Sequence, residues 1–590
     1  MNFIKMKGVL RGTQLSENIW IAGGYYVDFD SFGQFRIIGP NNHLYCGLVG
    51  ILQDKVTIDS VKERDNILTV IGRFNSAILD LPYPAMDDVR TMRKLVDHTN
   101  TFFSLRFRHL NDMVPHTMKE TRKDGKIILK FRRKYGYFFY ETAFEFGSCI
   151  EVRKTEKPTL NFRLGRKEAC GNIKAGRGGI PFSIVCSTND LHFKKIRKLS
   201  MLKKNDFDFE LFGRQSEFVK YVLARTEIEI KHLLQWGKTS GDRFGTVFPR
   251  DWMESADLGF NDLLPEVREY MYEASLKNVN KKGEGWHEDI VGECKYRYNA
   301  SGKECIDRKM IDIEPRYLMV LDFLPRSFLF KKGVRERLKR VAKYVIENSR
   351  KNDFIVFKET LFSRPEGGKQ YYQVGNWRDS EDAFKKVHKI IAPFDVNAVF
   401  YPTALLNIKK YQNELGLSKK DVGDIDNLIE KWSNKKENYL FRNPDGRIAY
   451  ALALYDIKKM KDGSVSCKRL EVNNLDESYL YSYCDGTQEE IKSFCERLLD
   501  PDYFYTRSGP LLTVGNDNYS YTSEEYHGKV IWIKQTAFAV MGLSRHLKMA
   551  KKNNWPPGLQ KLIKKTILKT TKNIIYAVHE LNDVPELYVD

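Results

Sequence analysis

The sequence predicts a multidomain α and β protein, with an N-terminal antiparallel β-sandwich over residues 1–195, a linker over 196–214 and a helical domain over 215–590. Three observations predict this division. The length of 590 residues exceeds what one hydrophobic core usually spans. The first part is rich in β-branched and aromatic residues. From about Gln215 the apolar residues change to helical spacing.

The amino-terminal part is predicted to form a series of strands. The segments IIGPNNHLY, ILTVIGRF, FFSLRFRHL, KIILKFRRKY and YFFYETAFEF combine β-branched with aromatic residues, which favour strands. Turn formers such as Asp124-Gly125 lie between them. Short strands joined by turns are typical of an antiparallel sandwich.

Two kinds of helix alternate in the second part. Some are amphipathic, such as GLQKLIKKTILKTTKNIIYAV, and others are apolar nearly all round, such as FDVNAVFYPTALLNI and VIWIKQTAFAVMGL. A helix that is apolar on every side is buried on every side, so the alternation predicts a ring of inner helices wrapped by outer ones. Periodicity predicts about eleven helical segments, at 215–236, 249–262, 265–281, 312–325, 333–349, 394–413, 418–434, 473–484, 487–499, 527–548 and 557–580.

Composition excludes several classes of protein. No run approaches the roughly 20 apolar residues that a membrane span needs, and the start MNFIKMKGVLRGTQ lacks the features of a secretory signal. The 9 cysteines form no CxxC pair and fit reduced thiols. Phosphate-binding, zinc-protease and serine-elbow motifs are not found. We therefore expect a cytoplasmic protein without a membrane partner, metal or organic cofactor.

The net charge of +20 leaves one alternative open. A basic protein can bind nucleic acid or another polyanion. The lysines, however, are spread along the chain and alternate with acids, as in KKNDFDFELF, which favours a solubilising surface. Nucleic acid is therefore not the partner we expect, and a steep salt dependence of binding would indicate otherwise.

The loops that precede the apolar helices carry the unusual residues. They contain TVFPRDW, GEGWHEDIVGE, GNWRDSEDAF and SEEYHGKVIW, each of which pairs a tryptophan or histidine with carboxylates. Half of the 8 tryptophans lie there, namely Trp252, Trp286, Trp377 and Trp532. Aromatic rings can cover the apolar faces of sugar rings, and charged groups form strong hydrogen bonds with hydroxyls. The pattern predicts a sugar site, although core packing is the commoner role of any single tryptophan.

Hydrolysis of a glycosidic bond needs two carboxyl groups, one to protonate the leaving oxygen and one to act on water or on the anomeric carbon. The stretch WRDSED offers Asp379, Glu381 and Asp382. Burial beside Trp377 would raise the pKa of such a carboxyl, as a general acid requires. The alternative is a helix start, with Asp379 or Ser380 as N-cap and acids in the first turn.

Several motifs, taken in order, resemble segments of the six-hairpin glycosidases, which include glucoamylases, the amylo-α-1,6-glucosidases of glycogen debranching and trehalases. TVFPRDW is similar to their P-R-D motif, NWRDSEDAF to their W-x-D segment and DVNAVFYPTAL to the helix that follows it. IDRKMIDIEPRYLMVL, EVNNLDESYLYSYCDG, YHGKVIW and VPELYVD are similar to further segments. The resemblance covers residues 215–590 and implies an (α/α)6 barrel.

The resemblance also implies roles for individual residues. Asp379 matches the general acid and Glu586 the general base, with Asp382 and Glu524 as the alternatives. Arg250 and Asp251 match the pair that holds the hydroxyls of the terminal sugar. The predicted substrate-binding residues are Arg250, Asp251, Trp252, Trp286, His287, Glu288, Trp377, Arg378, Tyr526, His527 and Trp532.

The expected activity is that of a glycoside hydrolase that releases glucose from the non-reducing end of an α-glucan or oligosaccharide, with inversion. Trehalase or invertase specificity on the same barrel, and a glycan-binding protein without turnover, are the alternatives. The family's twelfth helix is not found before the sequence ends at Asp590. A fragment, a barrel that closes differently and a helix count that is off by one all fit this departure.

Overall fold

The computed structural model describes strands within the first 188 residues, together with Asp124 and Asn189, and the ranges 246–259, 263–290, 306–357, 360–363, 369–372, 375–379, 381–384, 390–460, 465–581 and 587–589. The chain divides into two compact units. Unit 1 comprises residues 1–199, 225–247 and 288–305. Unit 2 comprises residues 200–224, 248–287 and 306–590.

Unit 1 is built from antiparallel strands. They are β1 Leu10–Arg11, β2 Thr13–Ser16, β3 Ile19–Ala22, β4 Tyr25–Phe29, β5 Gln34–Ile38, β6 His43–Val49, β7 Val56–Arg64, β8 Ile67–Phe74, β9 Ile78–Leu81, β10 Asp87–Asp88, β11 Thr117–Lys123, β12 Lys126–Tyr135, β13 Phe138–Phe146, β14 Glu151–Thr155, β15 Cys170–Lys174, β16 Ile180–Thr188, β17 Thr246–Val247 and β18 Glu288–Ile290. The larger sheets have the orders β1-β7-β8-β16-β13-β12-β11, β10-β6-β5-β4-β3-β2 and β14-β15-β9. Antiparallel strands are therefore confirmed here, whereas their assembly into a sandwich stays a prediction.

The period-2 pattern of the sequence sets which face of the seven-stranded sheet is buried. Val70 of β8 pairs with Ile184 of β16, and both side chains are buried, whereas Ile71 points to the exposed side. Gly72 pairs with Phe182 in the same register. A Cβ at Gly72 would lie 2.3 Å from the carbonyl oxygen of Thr57, so the close approach of the strands requires glycine here. The predicted strand FFSLRFRHL lies outside the described residues.

Unit 2 is dominated by helices. They are α1 Pro249–Leu258, α2 Pro265–Ser275, α3 Ile313–Met319, α4 Lys332–Lys351, α5 Tyr401–Lys410, α6 Ile425–Ser433, α7 Glu477–Tyr483, α8 Gln488–Leu498, α9 Ile533–Lys552 and α10 Pro557–Leu581. Short helical turns add Val320–Phe323, Arg326–Leu329, Glu381–Phe384, Asp395–Phe400 and Asn434–Asn438. Its short strands are β19 Ile306–Asp307, β20 Thr360–Ser363, β21 Lys369–Tyr372, β22 Ala392–Pro393, β23 Leu440–Arg442, β24 Ile448–Tyr450, β25 Ala453–Lys459, β26 Val465–Leu470, β27 Asn473–Asn474, β28 Thr513–Val514, β29 Ile531–Trp532 and β30 Leu587–Tyr588.

The helices contact one another in a cyclic order. Among the described residues, α1 packs on α3, α3 on α5, the turn before α5 on α7, α7 on α9, and α9 on α1. Outside this cycle, α2 packs on α1, α4 on α3 and α5, α6 on α5, and α10 on both α8 and α9. None of the described helices combines the length and the apolar character that a membrane crossing requires. Each predicted helical segment from 249 onward contains a helix, although several ends differ from the prediction, and the segment 215–236 lies outside the described residues.

Three predicted helix starts are wrong. The segments predicted from 418 and 473 begin as helices only at Ile425 and Glu477, and Asn473–Asn474 instead pairs with Thr513–Val514 as β27 and β28. At 473 and 527, tertiary pairing overrides helical periodicity. The helix predicted from residue 527 begins only at Ile533. Before it, the backbone N–H of Lys529 donates to the carbonyl of Thr522 at 2.8 Å and forms a turn. The segment Ile531–Trp532 then becomes β29 and pairs with Leu587–Tyr588, more than fifty residues later. A helical pattern alone cannot reveal such a partner.

Candidate active site

The first turn of α1 positions three of the predicted residues. Pro249 occupies the first helical position, where its fixed φ angle favours a helix start. Arg250 is buried, and its Nη1 donates to Oδ2 of Asp312 at 3.2 Å while its Nε lies 3.8 Å from Oδ1 of Asp251. The Asp251 side chain is 32% exposed, whereas Trp252 is buried. Asp251 is therefore the member of this group that a ligand could reach directly.

Asp379 joins the same group from another loop. Its Oδ2 lies 3.6 Å from Nε2 of His287, and its side chain is 21% exposed. Burial by itself would lower the pKa of Arg250, but the carboxylates of Asp312, Asp251 and Asp379 raise it above its usual range. A permanently charged guanidinium therefore lies among three acids, two of which are partly open to solvent.

A second ionic cluster lies one helical turn further along α1. Glu254 accepts hydrogen bonds from the guanidinium of Arg316 and from the Tyr479 hydroxyl at 2.8 Å, and its Oε2 forms an ion pair with Nζ of Lys534 at 2.8 Å. Burial opposes ionisation of Glu254, yet Lys534 and Arg316 lower its pKa to about 2. The cluster thus holds an ionised carboxylate and ties α1 to α3, α7 and α9.

Lys534 connects this cluster to the predicted aromatic residues. Its Nζ lies 4.7 Å from the ring centroid of Trp377 and 5.9 Å from that of Trp532. The side chain is 24% exposed. A cation over an aromatic face is a favourable arrangement, and here it covers faces that were predicted to stack on a sugar. Lys534 is therefore part of the site wall, although its functional role was not predicted from the sequence.

Trp377, Trp532 and His527 form one aromatic cluster. The rings of Trp377 and Trp532 meet edge to face at 5.5 Å, and His527 stacks on Trp532 at 5.2 Å with an interplanar angle of 12°. Tyr526 packs edge to face on Trp532 at 5.1 Å. The tryptophans and His527 are buried, and Tyr526 is half-buried. Of these four residues, Tyr526 has the most accessible ring.

Arg378 fixes the backbone just before Asp379. Its guanidinium makes a two-pronged hydrogen-bonded ion pair with Asp476, with Nε 3.0 Å from Oδ2 and Nη2 3.0 Å from Oδ1. Its Nη1 also donates to Oγ1 of Thr513 and to the carbonyl of His527. Burial raises the pKa of Asp476, and Arg378 opposes that rise. Arg378 is fully buried, so its placement favours positioning of the loop over direct contact with a ligand.

Four further predicted residues are Trp286, Glu524, Glu288 and Asp382. Trp286 is buried, and its Nε1 donates to the carbonyl of Ser275 at 2.6 Å, which favours a packing role. Glu524 is exposed in a turn. Glu288 lies in β18 and Asp382 in the turn Glu381–Phe384, but their side chains are outside the described part of the chain.

Glu586 itself lies outside the described residues. The residue that follows it, Leu587, pairs with Trp532 in the short sheet formed by β29 and β30. The ring of Trp532 lies 5.5 Å from Trp377, two positions before Asp379. The described end of the chain therefore runs beside the aromatic cluster.

Five charged residues of the site were not predicted from the sequence, namely Glu254, Asp312, Arg316, Asp476 and Lys534. One signal was available in α1, because Arg250, Glu254 and Asp257 recur every three or four positions and so share one helix face. Three charged residues on one face of a buried helix need charged partners on neighbouring helices. The identity of those partners depends on tertiary packing.

The arrangement can bind an uncharged, hydroxyl-rich ligand through charge-assisted hydrogen bonds. Asp251 and Asp379 offer acceptors, and Lys534 offers a donor, each on a partly exposed side chain. A carboxyl group at Asp379 can also exchange a proton with a bound ligand. Within the described ranges, no group of three or more histidine, cysteine or acidic side chains could hold a metal ion.

The chain aligns with solved structures at low sequence identity. No protein-family model and no curated protein matches the sequence. A bacterial glucoamylase solved in complex with acarbose aligns over 99% of this chain and 96% of its own, with a TM-score of 0.45 and 11% identity. A glycosyl hydrolase of the GH92 family aligns over 91% of this chain and 65% of its own, with a TM-score of 0.29 and 8% identity.

Proposed function

We propose that this chain is a glycoside hydrolase that releases glucose from the non-reducing end of α-glucosides, of the glucoamylase or amylo-α-1,6-glucosidase type. One observation carries the proposal. Asp379, which matches the acid of the W-x-D motif, is partly exposed beside His287. It also lies close enough to Arg250 for its carboxylate to raise the pKa of the guanidinium. Three motif-bearing loops that are distant in sequence thus contribute to one polar site.

The proposed chemistry is a single displacement with inversion. Asp379 donates its proton to the departing glycosidic oxygen, and Glu586 accepts a proton from the water that attacks the anomeric carbon from the opposite face. Inverting hydrolysis requires roughly 6.5–9.5 Å between the two carboxyl groups, which leaves room for the water. The course of Leu587–Tyr588 along Ile531–Trp532 supports a base from this part of the chain.

The proposed binding contacts involve residues with different exposure. Asp251 accepts hydrogen bonds from the hydroxyls of the terminal sugar, and Arg250 holds Asp251 in place from its buried position. Tyr526 offers a half-buried ring to an apolar sugar face. The buried Trp377 and Trp532 support this wall from behind, with Nζ of Lys534 over both rings.

A substrate panel tests the proposal. The wild type is incubated with maltooligosaccharides, isomaltose-type branched oligosaccharides, trehalose and sucrose, beside Asp379→Asn, Glu586→Gln and the control Asp426→Asn, which lies on an exposed surface of α6. Removal of a general acid or base typically costs about 10²- to 10⁴-fold in rate. We expect losses of that size for the first two variants and none for the control. A folded wild type that releases no sugar from any of these substrates contradicts the proposal.

A second candidate function is glycan binding without turnover. It is favoured by the direct packing of α9 on α1, which closes the cycle of described inner helices after five members, whereas an (α/α)6 barrel has six. Titration calorimetry with glucan oligomers separates the two functions. Heat of binding without any released sugar supports the second candidate, and product formation eliminates it.

A further inference from the structure

The carboxyl-terminal helices carry an unusual charge distribution. The segment from Tyr526 to His579 contains eleven lysine and arginine residues and no aspartate or glutamate. It therefore supplies more than half of the net charge of +20. The alternation of lysines with acids that holds elsewhere fails in this segment, which forms α9 and α10.

The lysines of α10 share one exposed face, here called the lysine row. It consists of Lys561, Lys564, Lys565, Lys569 and Lys572, all exposed to solvent. Positions three and four apart lie on the same side of a helix. At a rise of about 1.5 Å per residue, the row is roughly 16 Å long. Exposed Lys548, Lys551 and Lys552 add three more positive charges at the end of α9, just before the turn into α10.

The charge of the lysine row is not compensated by acids. None of these eight lysines forms an ion pair within the described part of the chain. The basic outer helix α4 behaves differently, because Lys343 pairs with Asp421, Arg350 with Asp424 and Lys351 with Glu347. Close like charges repel and destabilise a helix. The binding of an external anion would therefore reduce the repulsion among the lysines of the row.

Aromatic side chains accompany the row. Tyr576 is 45% exposed and lies one turn beyond Lys572. Nζ of Lys569 lies 5.4 Å from the ring centroid of Tyr505, which is half-buried. Positive charges along a backbone path, combined with accessible rings, are the features by which proteins hold single-stranded nucleic acid without sequence preference.

The other side of α10 argues against a membrane surface as the anion. Ile563, Ala577 and Val578 are buried in unit 2, whereas Leu568, beside Lys569, is 41% exposed. One exposed leucine among lysines is less than the broad apolar face with which an interfacial helix enters lipid. The row also consists of lysines without arginine, and lysine acts as a point charge without the two-pronged geometry that reads a base. Both features favour a flexible polyphosphate chain.

We propose that the lysine row binds the phosphodiester backbone of single-stranded nucleic acid, independently of its sequence, with Tyr576 as a platform for a base. This surface consists of residues other than those of the candidate active site. The proposal does not depend on the glycosidase proposal, and either can fail without the other.

The test is the binding of fluorescein-labelled 20-nucleotide single-stranded RNA and DNA, followed by anisotropy between 50 and 200 mM KCl. The five-fold variant Lys561→Gln/Lys564→Gln/Lys565→Gln/Lys569→Gln/Lys572→Gln is compared with the wild type. The control, Lys331→Gln/Lys332→Gln/Lys343→Gln/Arg350→Gln/Lys351→Gln, removes the same charge around α4. Circular dichroism establishes that all three proteins are folded.

We expect the row variant to bind at least tenfold more weakly and the control to stay within about threefold of the wild type. Each phosphate contact that is lost should reduce the salt slope by about 0.7. Absence of binding by the wild type, or equal losses in the two variants, overturns the proposal. A row variant that loses binding to phosphatidylserine vesicles but keeps its affinity for oligonucleotides also overturns it, in favour of a lipid surface. A folded row variant should retain the sugar release of the wild type.

Discussion

Nε2 of His287 lies 3.6 Å from Oδ2 of Asp379, although the two residues are more than ninety positions apart in the sequence. The imidazole is buried and packs against the ring of Phe248. Phe248 directly precedes α1 and lies two positions before Arg250. The carboxyl of Asp379 is therefore held beside a side chain that is fixed from behind and cannot move away without disturbing the start of α1.

Replacement of His287 tests whether this contact orients the proposed acid. We expect His287→Asn to lower kcat by about 10- to 100-fold with a smaller effect on KM, because a displaced acid reduces the rate of proton transfer more than the binding of the sugar. An unchanged kcat with a tenfold higher KM would instead assign His287 to sugar binding.

The buried pair of Arg378 and Asp476 predicts a large loss of stability. Arg378→Met leaves the Asp476 carboxylate buried without its partner, and we expect a loss of about 3–5 kcal/mol in the free energy of unfolding. The double variant Arg378→Met/Asp476→Leu should recover much of that loss, because no buried charge remains. Urea unfolding of both single variants and the double variant gives the coupling energy.

The exposed ion pair of Arg350 and Asp424 is the matched control for the buried pair of Arg378 and Asp476. Both side chains are 40% exposed, and surface ion pairs typically contribute about 0–1 kcal/mol. We therefore expect Arg350→Met to change the free energy of unfolding by less than about 1 kcal/mol. Similar losses for Arg378→Met and Arg350→Met would contradict a structural role for the buried pair.

The carboxyl of Asp257 predicts a pH dependence of stability. Burial raises the pKa of Asp257 to about 7, although Arg316 and the Tyr483 hydroxyl oppose the rise. In the unfolded chain the pKa is about 3.9. Between these values the folded protein binds more protons than the unfolded chain, so the contribution of this group to the free energy of unfolding falls as the pH rises from about 4 to about 7.

Asp257→Asn removes this titration. Its free energy of unfolding, relative to that of the wild type, should increase progressively from pH 4 to pH 8, by at most about 1.4 kcal/mol for each unit of pKa shift. Urea unfolding at several pH values measures the difference. A difference that stays constant with pH would show that the carboxylate is ionised in the folded protein throughout.

Close packing of α7 against α9 predicts that Gly542 tolerates no side chain. A Cβ at Gly542 would lie 2.9 Å from the carbonyl carbon of Tyr481 and 3.0 Å from the nitrogen of Ser482. We expect Gly542→Ala to lower the free energy of unfolding by about 1–3 kcal/mol. At Gly558 in α10 nothing lies within 4 Å of such a Cβ, so Gly558→Ala should be neutral or raise the free energy of unfolding by up to about 1 kcal/mol. Thermal unfolding of both variants compares the two sites.

Local patterns of residues determined most of the secondary structure. The segments predicted from ILTVIGRF and KIILKFRRKY coincide with β8 and β12, and the amphipathic pattern at 557–580 matches α10 at Pro557–Leu581. These elements depend on side-chain periodicity within a few turns or pairs of residues. The local residue pattern of each segment therefore suffices to predict its secondary structure.

The sequence by itself also determined which loops carry the polar and aromatic residues of the candidate site, because those residue types are concentrated before the apolar helices. Only the tertiary structure decided that Trp286 and Trp377 are buried, that Lys534 covers two tryptophans, and that Arg378 pairs with Asp476 across 98 positions. It also decided that α9 packs directly on α1. The physical reason is that burial and charge pairing depend on neighbours from distant parts of the chain, and residue periodicity carries no information about which neighbours those are.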